Sequence, residues 1–351
     1  MKAVLIQAFG GPEVLDYSSV PTPSPAAHEV LIQVHAVGVN HMEIDVREGR
    51  SGFQFPLPHV MGGECAGQIV AAGSAVSGYS VGDRVMPAPS LSSGNCRHAR
   101  CNCMMGRDNL CHEFGKLGIS CWGSYAGYVR VGYQNLVRLP DALSYRQAAA
   151  GRTTFSTAWE LIVNQGQVRQ GETVLINGAG GAVGTAAVLV AQQAGARVIC
   201  SVGSAEREEK LRGLGVIDIV NYQNGDMAGR VMELTDGHGV DLAIDTVGGS
   251  VLLATLDAMA LGGRVAIGGA HAGETVTIDI IKLFRRQIRI VTTHSYPKAT
   301  TAAVFDLMAR GRFEQIVAAE FELKHAARAH RLISSRTAFG KVIMSVGSED
   351  W

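Results

Sequence analysis

A glycine-rich turn between two apolar segments restricts most strongly how this chain can fold. The turn follows the apolar run at residues 173–177 and precedes an Ala/Val-rich segment of helical character that ends near Gly195. Its residues are Gly178, Ala179, Gly180, Gly181, Ala182, Val183 and Gly184. Glycines let the backbone approach a pyrophosphate closely, and the helix N-terminus supplies N–H donors and partial positive charge. The spacing is GxGxxxG where the usual fingerprint is GxGxxG, but the strand, turn and helix together predict a nicotinamide cofactor.

Short β-branched runs recur after the turn and alternate with stretches of helical character. The runs occupy residues 197–200, 240–245 and 263–268. Apolar strands separated by helices are typical of a parallel sheet that is covered on both faces. The sequence therefore predicts an α/β fold with a doubly wound nucleotide-binding domain.

Length and charge limit the class of protein. The chain has 351 residues, and domain sizes of roughly 100–200 residues predict two domains. Because 31 basic and 31 acidic residues balance, without a basic tract, we expect no nucleic-acid partner. Residues 1–6 run directly into a strand-like segment without the pattern of a cleavable signal, and no apolar stretch reaches membrane-spanning length. We expect a cytoplasmic protein without a membrane partner.

Four of the seven cysteines fall within one short polar stretch. They are Cys96, Cys101, Cys103 and Cys111. In a reducing compartment, clustered thiols indicate zinc rather than disulfides, and four thiolates make a closed structural site rather than a catalytic one. The sequence predicts a structural zinc, and a metal-free loop is the alternative.

Several separated motifs resemble the medium-chain dehydrogenase/reductase superfamily, the group of zinc alcohol dehydrogenases and quinone oxidoreductases. Besides the glycine turn, they are AVGVNH at 36–41, MGGECAG at 61–67, VGDRV at 81–85 and GRDNLC at 106–111. The resemblance covers nearly the whole chain. It implies a GroES-like, β-rich catalytic domain at residues 1–154 and 293–351, and a Rossmann nucleotide-binding domain at 155–292. It also implies a homodimer that forms through edge strands around residues 280–291.

The cysteine cluster departs from the spacing of that family. The family has C-x2-C-x2-C-x7-C, whereas this chain has x4, x and x7 between its four cysteines, so only the last interval is kept. Zinc tolerates varied ligand spacing, so the thiols still predict a metal. His98 and His112 are alternative ligands for a displaced cysteine.

The ligands of the family's catalytic zinc are missing from this chain. The three ligand positions align with Asn40, Gly63 and Thr153, and none of these is a good zinc ligand. The hydroxyl that relays the alcohol proton aligns with Met42, whose thioether cannot transfer a proton. Alcohol oxidation assisted by zinc is therefore not expected.

The resemblance then implies a reductase like the quinone oxidoreductase and enoyl reductase branches. We expect hydride addition to a polarised C=C bond in a small apolar or conjugated carbonyl substrate, because the resulting enolate needs only hydrogen-bond donors and a proton source. Asn40 is a candidate donor to the carbonyl, and Tyr125, Tyr128 and Tyr296 are candidate proton donors. Solvent water is the alternative proton source, and local packing is the alternative for each side chain. A carbonyl reductase without zinc and a catalytically silent NADPH-binding protein are the competing functions.

The turn after the second strand of the nucleotide-binding domain indicates which nicotinamide cofactor binds. A carboxylate there normally accepts hydrogen bonds from the adenosine ribose and repels a 2′-phosphate. This turn lacks an acid, while Ser204 and Arg207 suit a phosphate. Related NADPH-dependent enzymes also carry a tyrosine like Tyr222. The sequence predicts NADPH, although Glu206 leaves NADH as the alternative.

Matching motifs imply further cofactor contacts. They are His41, Thr157, Val247, Gly268, Gly269 and Lys341. The resemblance places His41 at the cofactor phosphates and Lys341 at the pyrophosphate. Core packing is the alternative for Thr157 and Val247, and a solvated surface amine is the alternative for Lys341. For His41 the alternatives are acid–base catalysis and a metal site shared with Glu64.

Overall fold

The chain forms two compact units, each with its own core. The computed structural model describes residues 1–93, 96 and 101–351. The first unit comprises Met1–Thr153 and Ser295–Trp351, and the second comprises Thr154–His294. The chain thus returns to the first unit after completing the second.

Strands and α-helices alternate from residue 173 to residue 345, whereas strands predominate among the described residues up to 138. The strands are β1 Lys2–Ile6, β2 Leu15–Ser19, β3 Glu29–Val39, β4 His59–Val60, β5 Cys65–Ala72, β6 Arg84–Pro87, β7 Tyr128–Gly132, β8 Leu136–Arg138, β9 Thr173–Asn177, β10 Arg197–Val202, β11 Asp218–Asn221, β12 Val240–Asp245, β13 Met259–Ile267, β14 Arg289–Thr292, β15 Val317–Glu322 and β16 Lys341–Ser345. The helices are α1 His41–Arg47, α2 Tyr145–Trp159, α3 Ala182–Gln193, α4 Ala205–Arg212, α5 Met227–Leu234, α6 Gly249–Asp257, α7 Ile280–Arg286, α8 Lys298–Ala309 and α9 Ala326–Ser334. Within these described segments, no helix is both long and apolar enough to cross a lipid bilayer.

Strand β3 organises the first unit. It pairs antiparallel with β5, β7 and β16, within a sheet whose order is β15-β16-β3-β5-β6-β8. A second sheet has the order β2-β1-β4. The Val-rich sequence of β3 suits its buried position, because branched side chains pack well on a pleated surface.

The second unit is a parallel sheet with the strand order β11-β10-β9-β12-β13-β14. This order is that of a doubly wound dinucleotide-binding sheet, in which the first strand lies near the centre and the strand order reverses beside it. The α/β fold class is confirmed. The predicted runs at 173–177 and 240–245 match β9 and β12, while β13 begins four residues before the predicted run at 263–268.

The prediction of edge strands around residues 280–291 is partly wrong. Residues 280–286 form α7, and of this segment only β14, Arg289–Thr292, is a strand, which lies at one edge of the sheet. The apolar run looked like a strand, but Asp279 caps a helix there. Its Oδ1 accepts hydrogen bonds from the backbone N–H groups of Ile281 at 2.9 Å and Lys282 at 3.2 Å. The homodimer stays a prediction.

Candidate active site

Three polar residues meet where strands of the first unit end. Asn40 directly follows β3, Glu64 directly precedes β5, and Lys341 begins β16. Because β3 pairs antiparallel with both β5 and β16, these strand ends are neighbours. Residues distant in the sequence thus form one polar cluster.

Glu64 is a fully buried carboxylate at the centre of this cluster. Its Oε2 accepts hydrogen bonds from Lys341 Nζ at 2.7 Å and Asn40 Nδ2 at 3.0 Å. Its Oε1 accepts from the backbone N–H of Thr153 at 2.8 Å and from Arg152 Nε at 3.3 Å. Burial alone would raise the pKa of Glu64, but Lys341 and Arg152 outweigh it and lower the pKa to about 2. Glu64 is therefore ionised at neutral pH.

Lys341 is as deeply buried as Glu64. Besides Glu64, its ammonium donates to Asn40 Oδ1 at 2.5 Å. A desolvated ammonium is costly unless it is paired, and these two acceptors provide the pairing. Both contacts lie inside the first unit and favour a structural role, so the predicted pyrophosphate contact of Lys341 receives no support from this placement.

Glu43 ties the start of α1 to the loop before β5. Its Oε2 accepts from the backbone N–H of Asn40 at 2.8 Å, and its Oε1 accepts from that of Gly63 at 3.0 Å. Burial raises the pKa of Glu43. His41, the first residue of α1, is half-buried, and its phosphate contact stays a prediction.

Two of the three positions aligned with the missing zinc ligands, Asn40 and Thr153, contact Glu64, and the third, Gly63, contacts the buried guanidinium of Arg152. Its Nη2 donates to the carbonyl oxygen of Gly63 at 2.7 Å, while Thr153 is its neighbour on α2. Asn40 shares Glu64 with it. We call this set the Glu64 network; its members are Asn40, Glu64, Arg152, Thr153 and Lys341. Sequence reasoning missed Arg152, since only its position beside Thr153 could have signalled it.

The three candidate proton donors occupy different places. Tyr296 Oη donates to Thr153 Oγ1 at 3.3 Å, and burial raises the pKa of Tyr296 to about 12. Tyr125 is fully buried and its hydroxyl lies 3.0 Å from His330 Nε2, which does not favour a role as proton donor. Tyr128 begins β7 and is half-buried. Tyr296 is thus the candidate that hydrogen bonds to the Glu64 network.

The thiols predicted to bind zinc come together. The Sγ atoms of Cys96, Cys101 and Cys103 all lie within 4.8 Å of one another. Cys103 Sγ lies 2.7 Å from that of Cys101 and 3.7 Å from that of Cys96, and Cys111 is buried in the same cluster. Thiolates are preferred zinc ligands, so the cluster fits a structural zinc. The alternative ligand His98 lies outside the described residues.

In the second unit, most of the predicted cofactor contacts follow the ends of parallel strands. The glycine turn follows β9, Ser204 follows β10, Tyr222 follows β11, Val247 follows β12, and Gly268 and Gly269 follow β13. Ligands of doubly wound sheets bind at this carboxyl edge. Thr157 differs from the others because it lies within α2.

The glycine turn has the backbone that a pyrophosphate requires. Gly178 has a φ of +65°, a left-handed conformation that favours glycine. Helix α3 begins after Gly181, which provides no side-chain cap. A Cβ on Gly180 would lie 2.8 Å from Arg207 Cδ, so the Arg207 side chain passes directly over the turn. These features fit a dinucleotide, and its binding stays a prediction.

The residues predicted to select NADPH are also near one another. The Ser204 hydroxyl accepts from the backbone N–H of Arg207 at 3.4 Å and caps α4. The Tyr222 hydroxyl lies next to Gly203, 2.5 Å from where a Cβ would stand. Glu206, the residue that weakened the NADPH prediction, pairs with Lys210 at 2.6 Å. Its carboxylate is therefore engaged along α4.

A buried polar cluster that sequence reasoning missed supports this edge of the sheet. Asn177 Nδ2 donates to Asp245 Oδ2 at 3.0 Å, and Ser201 Oγ donates to Asn177 Oδ1 at 2.7 Å. Asp245 Oδ1 in turn accepts from the backbone N–H groups of Val247 at 2.8 Å and Gly248 at 2.7 Å. The cluster fixes the loop that carries Val247, and polar residues at the ends of three strands were its only signal.

Replacing Gly184 by alanine is expected to destabilise the second unit by about 1–3 kcal/mol and to weaken nucleotide binding. The new Cβ would lie 2.3 Å from the carbonyl oxygen of Gly178, so backbone must move. Gly181→Ala is the matched control, because its Cβ would lie 3.4 Å from the same oxygen. Urea unfolding and calorimetric NADPH binding measure both effects. Equal destabilisation by the two substitutions would contradict the steric explanation.

Comparison with known proteins identifies the family. A family model described as an alcohol dehydrogenase GroES-like domain matches residues 26–141, and one described as a zinc-binding dehydrogenase matches residues 182–310. The solved structure of an NAD-dependent alcohol dehydrogenase is 37% identical, with a TM-score of 0.92 over 99% of this chain and 100% of that one. The chain belongs to the medium-chain dehydrogenase/reductase superfamily. The predicted family is therefore confirmed.

Other members of the superfamily match over nearly their whole length. The quinone oxidoreductase of Homo sapiens is 28% identical, covering 98% of this chain and 97% of its own. That of Pseudomonas aeruginosa is 29% identical, covering 98% and 99%. This medium-chain dehydrogenase/reductase is accordingly an oxidoreductase that uses a nicotinamide cofactor.

Proposed function

We propose that this protein transfers hydride from NADPH to a polarised C=C bond of an enone, enoyl or quinone substrate without a catalytic zinc. The observation that supports this most strongly is the charge balance of the Glu64 network. One buried carboxylate already has two buried cations against it, with Lys341 Nζ at 2.7 Å and Arg152 Nε at 3.3 Å. Quinone oxidoreductases among the relatives agree with such a substrate class.

A divalent cation would be poorly placed in this network. Two positive charges would repel it in a medium of low dielectric constant, where Coulomb interactions are weakly screened. The residues at the aligned ligand positions also lack good zinc-binding groups, because Asn40 has an amide, Gly63 has no side chain and Thr153 has a hydroxyl. Glu64 would have to give up its present partners in order to bind a metal.

Reduction of a conjugated C=C bond does not need a Lewis acid. Bound NADPH supplies the hydride, which adds at the β-carbon of the substrate and leaves an enolate. The negative charge of an enolate is delocalised, so hydrogen-bond donors stabilise it and water or Tyr296 can return a proton. Asn40 is a further donor, although both ends of its amide already contact the network.

We assign the cofactor to the carboxyl edge of the second unit. The glycine turn and the N-terminus of α3 would hold the pyrophosphate. Ser204, Arg207 and Tyr222 would hold the 2′-phosphate of NADPH, and Thr157, Val247, Gly268 and Gly269 would line the rest of the nucleotide. NADH remains the competing cofactor, since one similar structure is of an NAD-dependent enzyme.

The cysteine cluster is assigned a structural zinc. Cys96, Cys101, Cys103 and Cys111 would provide four thiolates, a closed set that supplies stability rather than chemistry.

The similarity to alcohol dehydrogenases favours carbonyl reduction as the second candidate function.

Anaerobic nicotinamide oxidation tests these functions directly. The substrates are benzylideneacetone, its saturated ketone benzylacetone and the quinone menadione, each with NADPH and with NADH, and zinc is measured on the same sample. We expect NADPH-dependent turnover of benzylideneacetone or menadione with about one zinc per chain. Cys103→Ser should release that zinc, while Cys121→Ser, outside the cluster, should retain it.

The opposite pattern would overturn the proposal. Turnover of benzylacetone that is abolished by a chelator and accompanied by a second zinc would establish a zinc-dependent carbonyl reductase. NADPH binding without turnover of any of the three substrates would indicate a catalytically silent protein.

A further inference from the structure

The guanidinium of Arg152 is buried and only partly used. Arg152 is 3% exposed. Its Nε faces Glu64 and its Nη2 donates to the Gly63 carbonyl, but Nη1 has no hydrogen-bond partner among the described residues. Since Nη1 carries two N–H bonds, two strong donors of a buried cation are unengaged.

Such an arrangement is uncommon in folded proteins. Buried polar groups almost always have a partner, and an unmet donor costs about 1–3 kcal/mol, more when it is charged. Lys341, in the same network, has its ammonium engaged by two acceptors. The unmet donors of Arg152 therefore point to a ligand that is anionic or strongly hydrogen-bond accepting.

The guanidinium is also held in a fixed orientation. Arg152 lies on α2, and its Nε and Nη2 bind two acceptors contributed by consecutive residues, Gly63 and Glu64. A planar guanidinium with two of its three nitrogens bound cannot rotate, so the direction of Nη1 is determined before any ligand arrives. Preorganised donors of this kind stabilise developing negative charge most effectively.

The residues beside Arg152 include a glycine and two hydroxyl groups. Gly63 has no side chain, and a Cβ there would lie 3.3 Å from Glu43 Oε1 and 3.4 Å from the Leu117 carbonyl oxygen, which is a tight fit. The hydroxyls of Thr153 and Tyr296 form a hydrogen bond beside the guanidinium. Related zinc enzymes have their metal ligands at the positions of Asn40, Gly63 and Thr153.

We propose that Arg152 is a catalytic residue whose Nη1 donates hydrogen bonds to the carbonyl oxygen of the substrate, in the role that a zinc ion has in the zinc-dependent relatives. This inference rests on the proposed function. As hydride adds to the β-carbon, the C=C electron pair forms a new double bond between the α-carbon and the carbonyl carbon. The carbonyl π electrons move onto oxygen, where Arg152 stabilises the negative charge. The α-carbon then takes a proton from water or Tyr296 and the C=O bond re-forms. The nicotinamide is oxidised and the C=C bond is reduced.

Substitution with chemical rescue tests the role of Arg152. Arg152→Ala should lower kcat for benzylideneacetone about 100- to 1000-fold, the usual effect of removing one oxyanion donor. Guanidinium chloride added at low millimolar concentration should raise kcat of the Arg152→Ala protein at least tenfold. A purely structural role of Arg152 would give no such rescue. Arg146→Ala is the matched control, because Arg146 is an exposed residue of the same helix that pairs with Glu320. It should keep wild-type kcat.

A binding measurement gives a readout that does not depend on turnover. Cinnamate presents a carboxylate in place of the carbonyl, and calorimetry should find its affinity at least tenfold weaker in Arg152→Lys than in the wild type. The lysine keeps the charge but lacks the planar fork, so this variant also serves if Arg152→Ala does not fold. The Arg146→Ala protein should bind cinnamate like the wild type.

Two results would overturn the role of Arg152. One is a folded Arg152→Ala protein whose kcat stays within threefold of the wild type. The other is a loss of kcat without guanidinium rescue and with unchanged cinnamate affinity in Arg152→Lys, which would make Arg152 structural. Failure of the wild-type protein to reduce benzylideneacetone or menadione would instead reject the proposed function, and cinnamate binding would still report on Arg152.

Discussion

Replacing Lys341 by methionine is expected to lower the free energy of unfolding by about 3–5 kcal/mol. Methionine preserves most of the volume but removes the ammonium that lies 2.7 Å from Glu64 Oε2. The fully buried carboxylate would then depend on Arg152, at 3.3 Å, as its one remaining cation. Asn40 Oδ1 would lose its donor as well. Urea unfolding at neutral pH, followed by tryptophan fluorescence, measures the change.

A double-mutant cycle with Glu64→Gln separates the ion pair from simple packing. If the two charges stabilise each other, the two substitutions together should cost less than the sum of the single ones by about 1–3 kcal/mol. Lys324→Met is the matched control, because Lys324 pairs with Glu322 on the surface. That change should leave the unfolding midpoint nearly unaltered. Additive effects of Lys341→Met and Glu64→Gln would show that the buried pair is not coupled.

The Glu64 carboxylate is also expected to make the protein sensitive to acid. The pKa of Glu64 is lowered from 4.5 to about 2 in the folded protein. The carboxyl binds a proton more readily when unfolded, so its contribution is fully present above pH 4.5 and is lost as the pH falls toward about 2. A shift of this size corresponds to roughly 3 kcal/mol.

Comparison with Glu64→Gln isolates this contribution from the other carboxylates. The difference in unfolding free energy between wild type and Glu64→Gln should be constant from about pH 7 to pH 5 and should then shrink at lower pH. Glu322→Gln, which removes an exposed carboxylate, is the control and should show little dependence on pH. A difference that stays the same down to about pH 3 would mean that Glu64 titrates normally.

Periodicity and turn chemistry in the sequence were enough to predict the nucleotide-binding fold. The signals for the strand at 173–177 and its glycine turn lie within a short stretch of sequence, because glycine conformations and β-branched runs depend on neighbouring residues. The exception is α7, where the apolar run at 280–286 concealed a helix behind the capping residue Asp279. A local capping interaction decided against the strand there.

The candidate site was less accessible to prediction. Motif alignment located Asn40 and Thr153, and it named Glu64 only as a partner of His41 in an alternative metal site. The pyrophosphate contact that it predicts for Lys341 stays a prediction, and it did not reveal that the folded chain buries this amino group between Glu64 and Asn40. Arg152 was not singled out at all. Each of these contacts joins residues that are far apart in the chain, and no spacing within the sequence encodes them.

The sequence by itself determined the superfamily, the doubly wound sheet and the absence of the usual zinc ligands from positions 40, 63 and 153. Residue identity and short-range pattern are sufficient for such conclusions. Only the tertiary structure decided what replaces those ligands. Pairing of β3 with β5 and β16 brings Asn40, Glu64 and Lys341 together, and α2 adds Arg152. The charge of a buried site depends on which strand ends meet, and that is a property of the fold.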